Sequence, residues 1–237
     1  MITLDPITFD VLKHRLWQIN DEQGQTIRTI SASPIVTEGN DFNVGLFTPE
    51  GELVVAGAYV SAHVTTMDVV LKNVIEEVSE INDGYIFVLN DPYRGCLHQN
   101  DFAMVSPFFH AGKLVLWVGN VLHHADVGGI DEGSFCVNAR NIFHEPARFF
   151  LKIVDRGKPS PEVERTIMLN SRLPQTVALD LRAQIGAINV AKGRLQELVQ
   201  ERGEEVVSAV IYRSLDYAEE MLREFFSGIP DGTWHSE

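Results

Sequence analysis

The stretch "DFAMVSPFFHAGKLVLWVGNVLHHAD", residues 101–126, holds two apolar runs of strand length separated by the turn His110-Ala111-Gly112. Aromatic and β-branched residues recur in both runs, and a connection this short suits antiparallel neighbours. The reading is a β-hairpin, residues 101–109 against residues 113–122. Three side chains with metal-binding chemistry stand at its open end: Asp101 where the first run starts, His123 and His124 where the second stops.

The flanking sequence extends the pattern. "GYIFVLN" (residues 84–90) is another apolar run of strand length, and "RFFLKIVDRGK" (residues 148–158) reads as a strand running into a turn. Upstream, "DFNVGLFTPEGELVVAG" (residues 41–57) reads as a second hairpin around Pro49-Glu50-Gly51. Residues 128–141 are glycine-rich and irregular.

Helices surround these strands. Asp5 can cap a first one, Pro6 suits its first turn, and Ile7, Val11, Leu12, Leu16, Ile19, Ile27 and Ile30 recur at helical spacing until Pro34 ends any continuation. Residues 65–80 form a second amphipathic pattern with Met67, Val70, Leu71, Val74 and Val78 on one side. Helical periodicity then fills residues 161–170, 174 to about 201, and 203 to about 226. The fold expected is α+β: a mixed, largely antiparallel sheet with flanking helices and a helical C-terminal third. Residues 1–160 supply the sheet region and residues 161–237 the mainly helical one, with no internal repeat or low-complexity linker between them.

Composition narrows the function by exclusion. A chain of 237 residues with 45% hydrophobic and 22% charged content can bury a real core. A formal net charge of −14 argues against nucleic acid, because phosphate neutralisation needs clustered Lys and Arg. No apolar run is long enough to span a membrane, the first residues lack a secretory pattern, and Cys96 and Cys136 suit a reducing compartment. The expectation is a cytoplasmic protein.

The chemistry lies in two short runs. In "CLHQND" His98 and Asp101 stand three apart in a tight connection, and in "LHHAD" His123 and His124 follow the end of the neighbouring strand. Ligands from adjacent strand ends can converge at one edge of the sheet, and Asp41, at the start of the early hairpin, is a fourth candidate. Imidazole nitrogen with carboxylate oxygen fits zinc, manganese or iron rather than magnesium or calcium alone. With three or four protein ligands, a position remains for water whose pKa the ion lowers toward neutrality. Successive side chains of an extended strand alternate faces, so His123 and His124 cannot both ligate easily. His123 is the expected ligand, with His124 as second choice or as a nearby acid–base group. Asp126 is either a carboxylate orienting a histidine or a turn residue before Gly128-Gly129. Cys96 is either a soft extra ligand or a buried free thiol. His14, His63, His110, His144 and His235 show no comparable clustering, and none of them is assigned to the site. No phosphate-loop, nucleophile-elbow or CxxC pattern occurs.

Across residues 84–109 and 112–129 the chain resembles the hydantoinase B family. That family includes the B subunits of ATP-dependent N-methylhydantoinases, the C-terminal half of 5-oxoprolinases, caprolactamase small subunits and acetone carboxylase α subunits. "NDPYRGCLHQNDFAMVSPFF" is similar to the family's NDPYxGGTHxxDxxxxxPVF, and "LHHADVGG" to its HHxDxGG. "DPITFDVLKHRL" (residues 5–16), "GSFCVNARNIFHEPARF" (residues 133–149) and "LDLRAQIGAINVAKGRLQEL" (residues 179–198) extend the likeness in order along nearly the whole chain. Cys96 and Leu97 depart from the family's GGTH run, which puts substrate shape beside His98 in doubt.

The resemblance implies a metal held by Asp41, His98, Asp101 and His123 or His124. It also implies an ATP-binding partner of the hydantoinase A type that phosphorylates a lactam, imide or enolate oxygen. The implied activity is ATP-dependent opening of a cyclic amide (a hydantoin, 5-oxoproline or another lactam) in a hetero-oligomer. ATP is used by the partner, and one divalent ion, zinc or manganese with iron as a third option, is held here. The alternatives are the metal subunit of an ATP-dependent ketone carboxylase, or a non-catalytic, metal-stabilised assembly subunit. Because family members are roughly twice this length, residues 1–237 are expected to be an N-terminal portion, a split subunit or a short relative.

Overall fold

The computed structural model describes residues 4–235 of the chain. Helix α1 runs from Pro6 to Ile30. The Asp5 carboxylate accepts from the amides of Ile7 and Thr8 at 3.1 and 3.0 Å, and Pro6 fills the first turn, where a missing N–H costs nothing. The helix stops at Ile30, short of Pro34, which instead opens a four-residue helix, α2 (Pro34–Thr37), capped by the Ser33 hydroxyl.

Seven strands follow: β1 (Phe42–Phe47), β2 (Leu53–Ala56), β3 (Ile86–Leu89), β4 (Asp101–His110), β5 (Lys113–His123), β6 (Phe150–Asp155) and β7 (Lys158–Pro159). They form one sheet in the order β2-β1-β5-β4-β3-β6-β7, every neighbouring pair antiparallel. The expected hairpin is its centre. It pairs from Asp101 opposite His123 to His110 opposite Lys113, so the turn is tighter than the three residues expected. Ala111 and Gly112, both at positive φ, make it alone, which matches the twist of a two-residue hairpin connection.

The remaining helices are α3 (Ser61–Val64), α4 (Met67–Glu77), α5 (Pro161–Leu169), α6 (Pro174–Arg202) and α7 (Glu204–Ser227). The helix expected over residues 65–80 is the shorter α4, preceded by the separate turn of α3, and Val78 is already extended. Strand alternation sorts the core into two layers. Phe102, Met104, Phe108, Leu116 and Val118 pack with Leu16 and Ile19 of α1, Leu181, Ile188 and Leu195 of α6, and Val207 and Val210 of α7. On the other face Ala103, Val105, Trp117 and Val121 pack with Met67, Val70, Leu71 and Val74 of α4. The protein is thus a mixed α/β fold, an antiparallel sheet between helical layers, with its last three helices following all the strands. Among the described residues no helix is long and apolar enough to cross a membrane.

Candidate metal centre

The register of three central strands builds the site. Leu122 lies between Phe42 on β1 and Phe102 on β4. One residue on, His123 stands opposite Asp101, and its amide donates to the Asp41 carbonyl at 3.0 Å. Asp41, His123 and Asp101 therefore form a row across the rim of the sheet. Alternation turns His123 and Asp101 to the face that carries Val121 and Ala103, the side covered by α4.

Within that row the side chains close on one another. Asp101, wholly buried, has one oxygen 2.7 Å from His123 Nδ1 and the other 3.0 Å from His98 Nδ1; the latter also accepts the His98 amide at 2.6 Å. One ligand atom from each of His98, Asp101 and His123 lies within 4.8 Å of the others. His123 Nε2 is buried with no hydrogen-bond partner among the described residues. A ring that donates from Nδ1 to a carboxylate keeps its lone pair on Nε2, so this orphaned nitrogen is an electron-pair donor with nothing to receive it. Two imidazoles and a carboxylate, one imidazole with a free buried nitrogen, are a donor set that fits a borderline divalent cation.

Electrostatics favours the charged carboxylate. Burial pushes Asp101 up, but hydrogen bonds from His123 and His98 outweigh it and hold the carboxyl below its ordinary range. The same bond to Asp101 raises His98 against the opposing effect of burial.

The connection that delivers His98 is held rigidly. After β3 comes a 3-10 turn, Pro92–Arg94, and Gly95 at φ +103° redirects the chain. Buried Asn90 clamps both ends of the loop: its Nδ2 donates to the carbonyls of Gln99 (2.7 Å) and Ala147 (3.0 Å), and its Oδ1 accepts from the Phe149 amide (2.8 Å). Cys96 turns into the core, its thiol against the Leu89 carbonyl, and burial pushes that thiol well above its ordinary value. It takes the second of the two readings offered for it.

His124 and Asp126 lie elsewhere. The His124 ring points to the opposite face from His123, packed 4.4 Å from the Phe102 ring, with Nε2 3.3 Å from the Gln184 side-chain oxygen on α6. Burial pushes it down to about 3, so the ring is neutral. The Asp126 carboxylate orients no histidine; it accepts from the amides of Gly128, Gly133 and Arg172 and pairs with the Arg172 guanidinium at 3.1 Å. Asp41 stays outside the 4.8 Å group, its Oδ1 3.1 Å from Nε2 of buried His63.

Sequence reasoning missed His63, Gln184 and Phe135. The Phe135 ring sits 5.1 Å from both the His98 and the His123 rings and is half exposed. Beside it opens a cleft of about 350 Å³ lined by Pro92, Leu97, His98, Asn100, Phe135 and Glu145. A larger groove of about 620 Å³ separates the start of α1 from α7, but its Lys13 is already paired with Asp10 and stacked on Tyr217. Only a glycine-rich run marked Phe135 in the sequence, and the partners of His63 and Gln184 lie 22 and 60 residues away.

Strand-end imidazoles and carboxylates on an antiparallel sheet sandwiched by helices define a candidate metal-binding α/β protein. Residues 5–237 match the model of the hydantoinase B/oxoprolinase family, and the chain belongs to that family, as its motifs imply. It is 34% identical over 228 residues to the 5-oxoprolinase of Dictyostelium discoideum, covering 95% of this chain and 18% of that protein. The fold is similar to the crystal structure of ATP-dependent caprolactamase from Pseudomonas jessenii, with a TM-score of 0.89, 28% identity, and coverage of 98% of this chain and 40% of that one. It is also similar to nucleotide-free acetone carboxylase, with a TM-score of 0.84, 26% identity, and coverage of 89% and 28% respectively. The chain spans 40% or less of the length of each of these relatives.

Proposed function

We propose that this chain is the metal-binding part of an ATP-dependent enzyme that opens a small cyclic amide, working in a hetero-oligomer with an ATP-binding partner of the hydantoinase A type. The observation that carries the reading is the His98–Asp101–His123 cluster, with its orphaned nitrogen, beside an open cleft. Relatives named 5-oxoprolinase and ATP-dependent caprolactamase support the substrate class. Two unpaired, buried cysteines support a reducing, cytoplasmic setting.

His98, Asp101 and His123 hold the divalent ion (zinc or manganese, with iron as a third option), and Asp41 adds a further oxygen. Such an ion supplies Lewis acidity and a water ionised near neutral pH. Asp101 keeps both imidazoles aligned by accepting from each. Phe135 packs against both rings on one side, and the cleft beside His98 offers room for a small ring. Activation of the amide oxygen by ATP belongs to the partner. His124 and Asp126 are assigned supporting roles, anchoring the end of β5 and the loop after it.

The test is elemental analysis of the purified chain, followed by ATP-dependent ring opening of hydantoin, 5-oxoproline and caprolactam with the authentic partner. A bound divalent ion and partner-dependent ring opening are expected. Metal without turnover on any of them, in the complete complex, overturns the hydrolase reading in favour of an assembly subunit. The likeness to acetone carboxylase favours a second reading, a ketone carboxylase. Incorporation of labelled bicarbonate into product decides for it.

A further inference from the structure

His63 lies outside both histidine motifs, yet it is almost fully buried, in the four-residue helix α3, and meets Asp41, a candidate ligand that the cluster leaves out. Its Nε2 is 3.1 Å from Oδ1 of Asp41, whose side chain is one-third exposed. Asp41 is tied by its own carbonyl to the His123 amide, so the backbone on one side and an imidazole on the other fix where this carboxylate sits.

A carboxylate with one oxygen held by a buried donor is the arrangement that orients an oxygen ligand, because the held oxygen fixes the rotamer and leaves the other to bind. We infer that His63 is a positioning residue for the metal centre, donating Nε2–H to Asp41 Oδ1 and so holding that carboxylate at the end of the Asp41–His123–Asp101 row as the further oxygen donor. This rests on the metal reading proposed above and adds to it a residue that touches neither ion nor substrate. The buried ring spares Asp41 the entropy of ordering a partly exposed side chain when the ion arrives.

The test is calorimetric titration of Zn²⁺ or Mn²⁺ into the metal-stripped full chain, with thermal melts of each stripped variant as a folding control. His63→Ala is expected to weaken binding by about 10–100-fold, the usual effect of removing a residue that orients a ligand. His63→Gln, whose amide can still donate, is expected to recover part of that loss. His63→Ala on top of Asp41→Ala is expected to add nothing, because His63 acts through Asp41. If His63→Ala melts below the assay temperature, His63→Gln in the wild-type and Asp41→Ala backgrounds decides by the same comparison. Wild-type affinity in the His63 variants, or losses that multiply in the double variant, overturns the inference while leaving the metal centre intact. Absence of binding to the wild-type chain, or unchanged binding in Asp101→Ala, overturns the metal reading itself.

Discussion

Asp101 shows how one residue sets the character of the site. It has no exposed surface, yet it is held ionised, because two imidazoles and a backbone amide converge on its oxygens. Its lowered pKa contributes stability that is present above the ordinary carboxylate value of 3.8 and lost as pH falls through the lowered one. The raised pKa of His98 contributes stability that is present below the ordinary imidazole value of 6.5 and lost as pH rises through the raised one. Both contributions are fully present between 3.8 and 6.5. Urea midpoints of the metal-stripped protein and of Asp101→Asn, compared across that window and on either side, are therefore expected to differ most inside it. A difference independent of pH would contradict the pairing. The residues of this pair were legible in the sequence because they stand three apart in the connection that leads into an apolar run. His63 was not legible: a lone histidine in "SAHV" carries no signal until the fold brings Asp41 to it.

Among the elements, two features hold the candidate metal rim in register. The first is the loop between β3 and β4. Gly95 has a φ of +103°, and a Cβ there would stand 2.9 Å from the Val70 amide nitrogen and 3.1 Å from the Thr66 carbonyl, both at the start of α4. Gly95→Ala is expected to cost about 1–3 kcal/mol through backbone strain and to displace His98. Metal affinity, measured by chelator competition, should then fall along with the melting temperature. The second is the polar column between β5 and α6. Gln184 receives His124 Nε2 on its oxygen and donates to the Phe102 carbonyl (2.7 Å) and the Asn120 side chain (3.0 Å). Gln184→Leu strands those buried groups and is expected to lower stability by about 1–3 kcal/mol, read from urea unfolding. The hairpin of β4 and β5 was legible because its strands are neighbours in sequence. The placing of β1 against β5, which brings Asp41 to His123, pairs strands far apart along the chain, and no local periodicity encodes it.

At the scale of the molecule, the sheet is a partition with different work on its two sides. The α1–α6–α7 layer is mostly apolar outside the Gln184 column, and Leu195, wholly buried within it, belongs to the same cluster as Leu16, Met104 and Val207. Leu195→Ala is expected to destabilise the protein by about 2–5 kcal/mol with little change in metal affinity, since the cluster stands on the other face. Calorimetric melting and metal titration of the one variant check both halves of that statement. The α4 side, thinner and flanked by loops, leaves room for the cleft at His98. That division follows from alternation along β4 and β5, so the overall layering was readable from hydrophobic pattern. The cleft was not readable, because it depends on where an irregular glycine-rich segment folds back.

The ladder between β4 and β5 slips once, between Phe108 and Phe109, where Val115 has no partner of its own. Near the Ala111-Gly112 tip, then, the ribbon already tolerates a surplus residue. At the opposite tip the tandem histidines make the same tolerance unworkable: adding or deleting a single residue before His123 would trade its place with a neighbour's, sending one imidazole to the core face and its twin toward Asp101. Natural length variation in this hairpin should therefore collect at one end, and the distal turn is where a tag or reporter belongs.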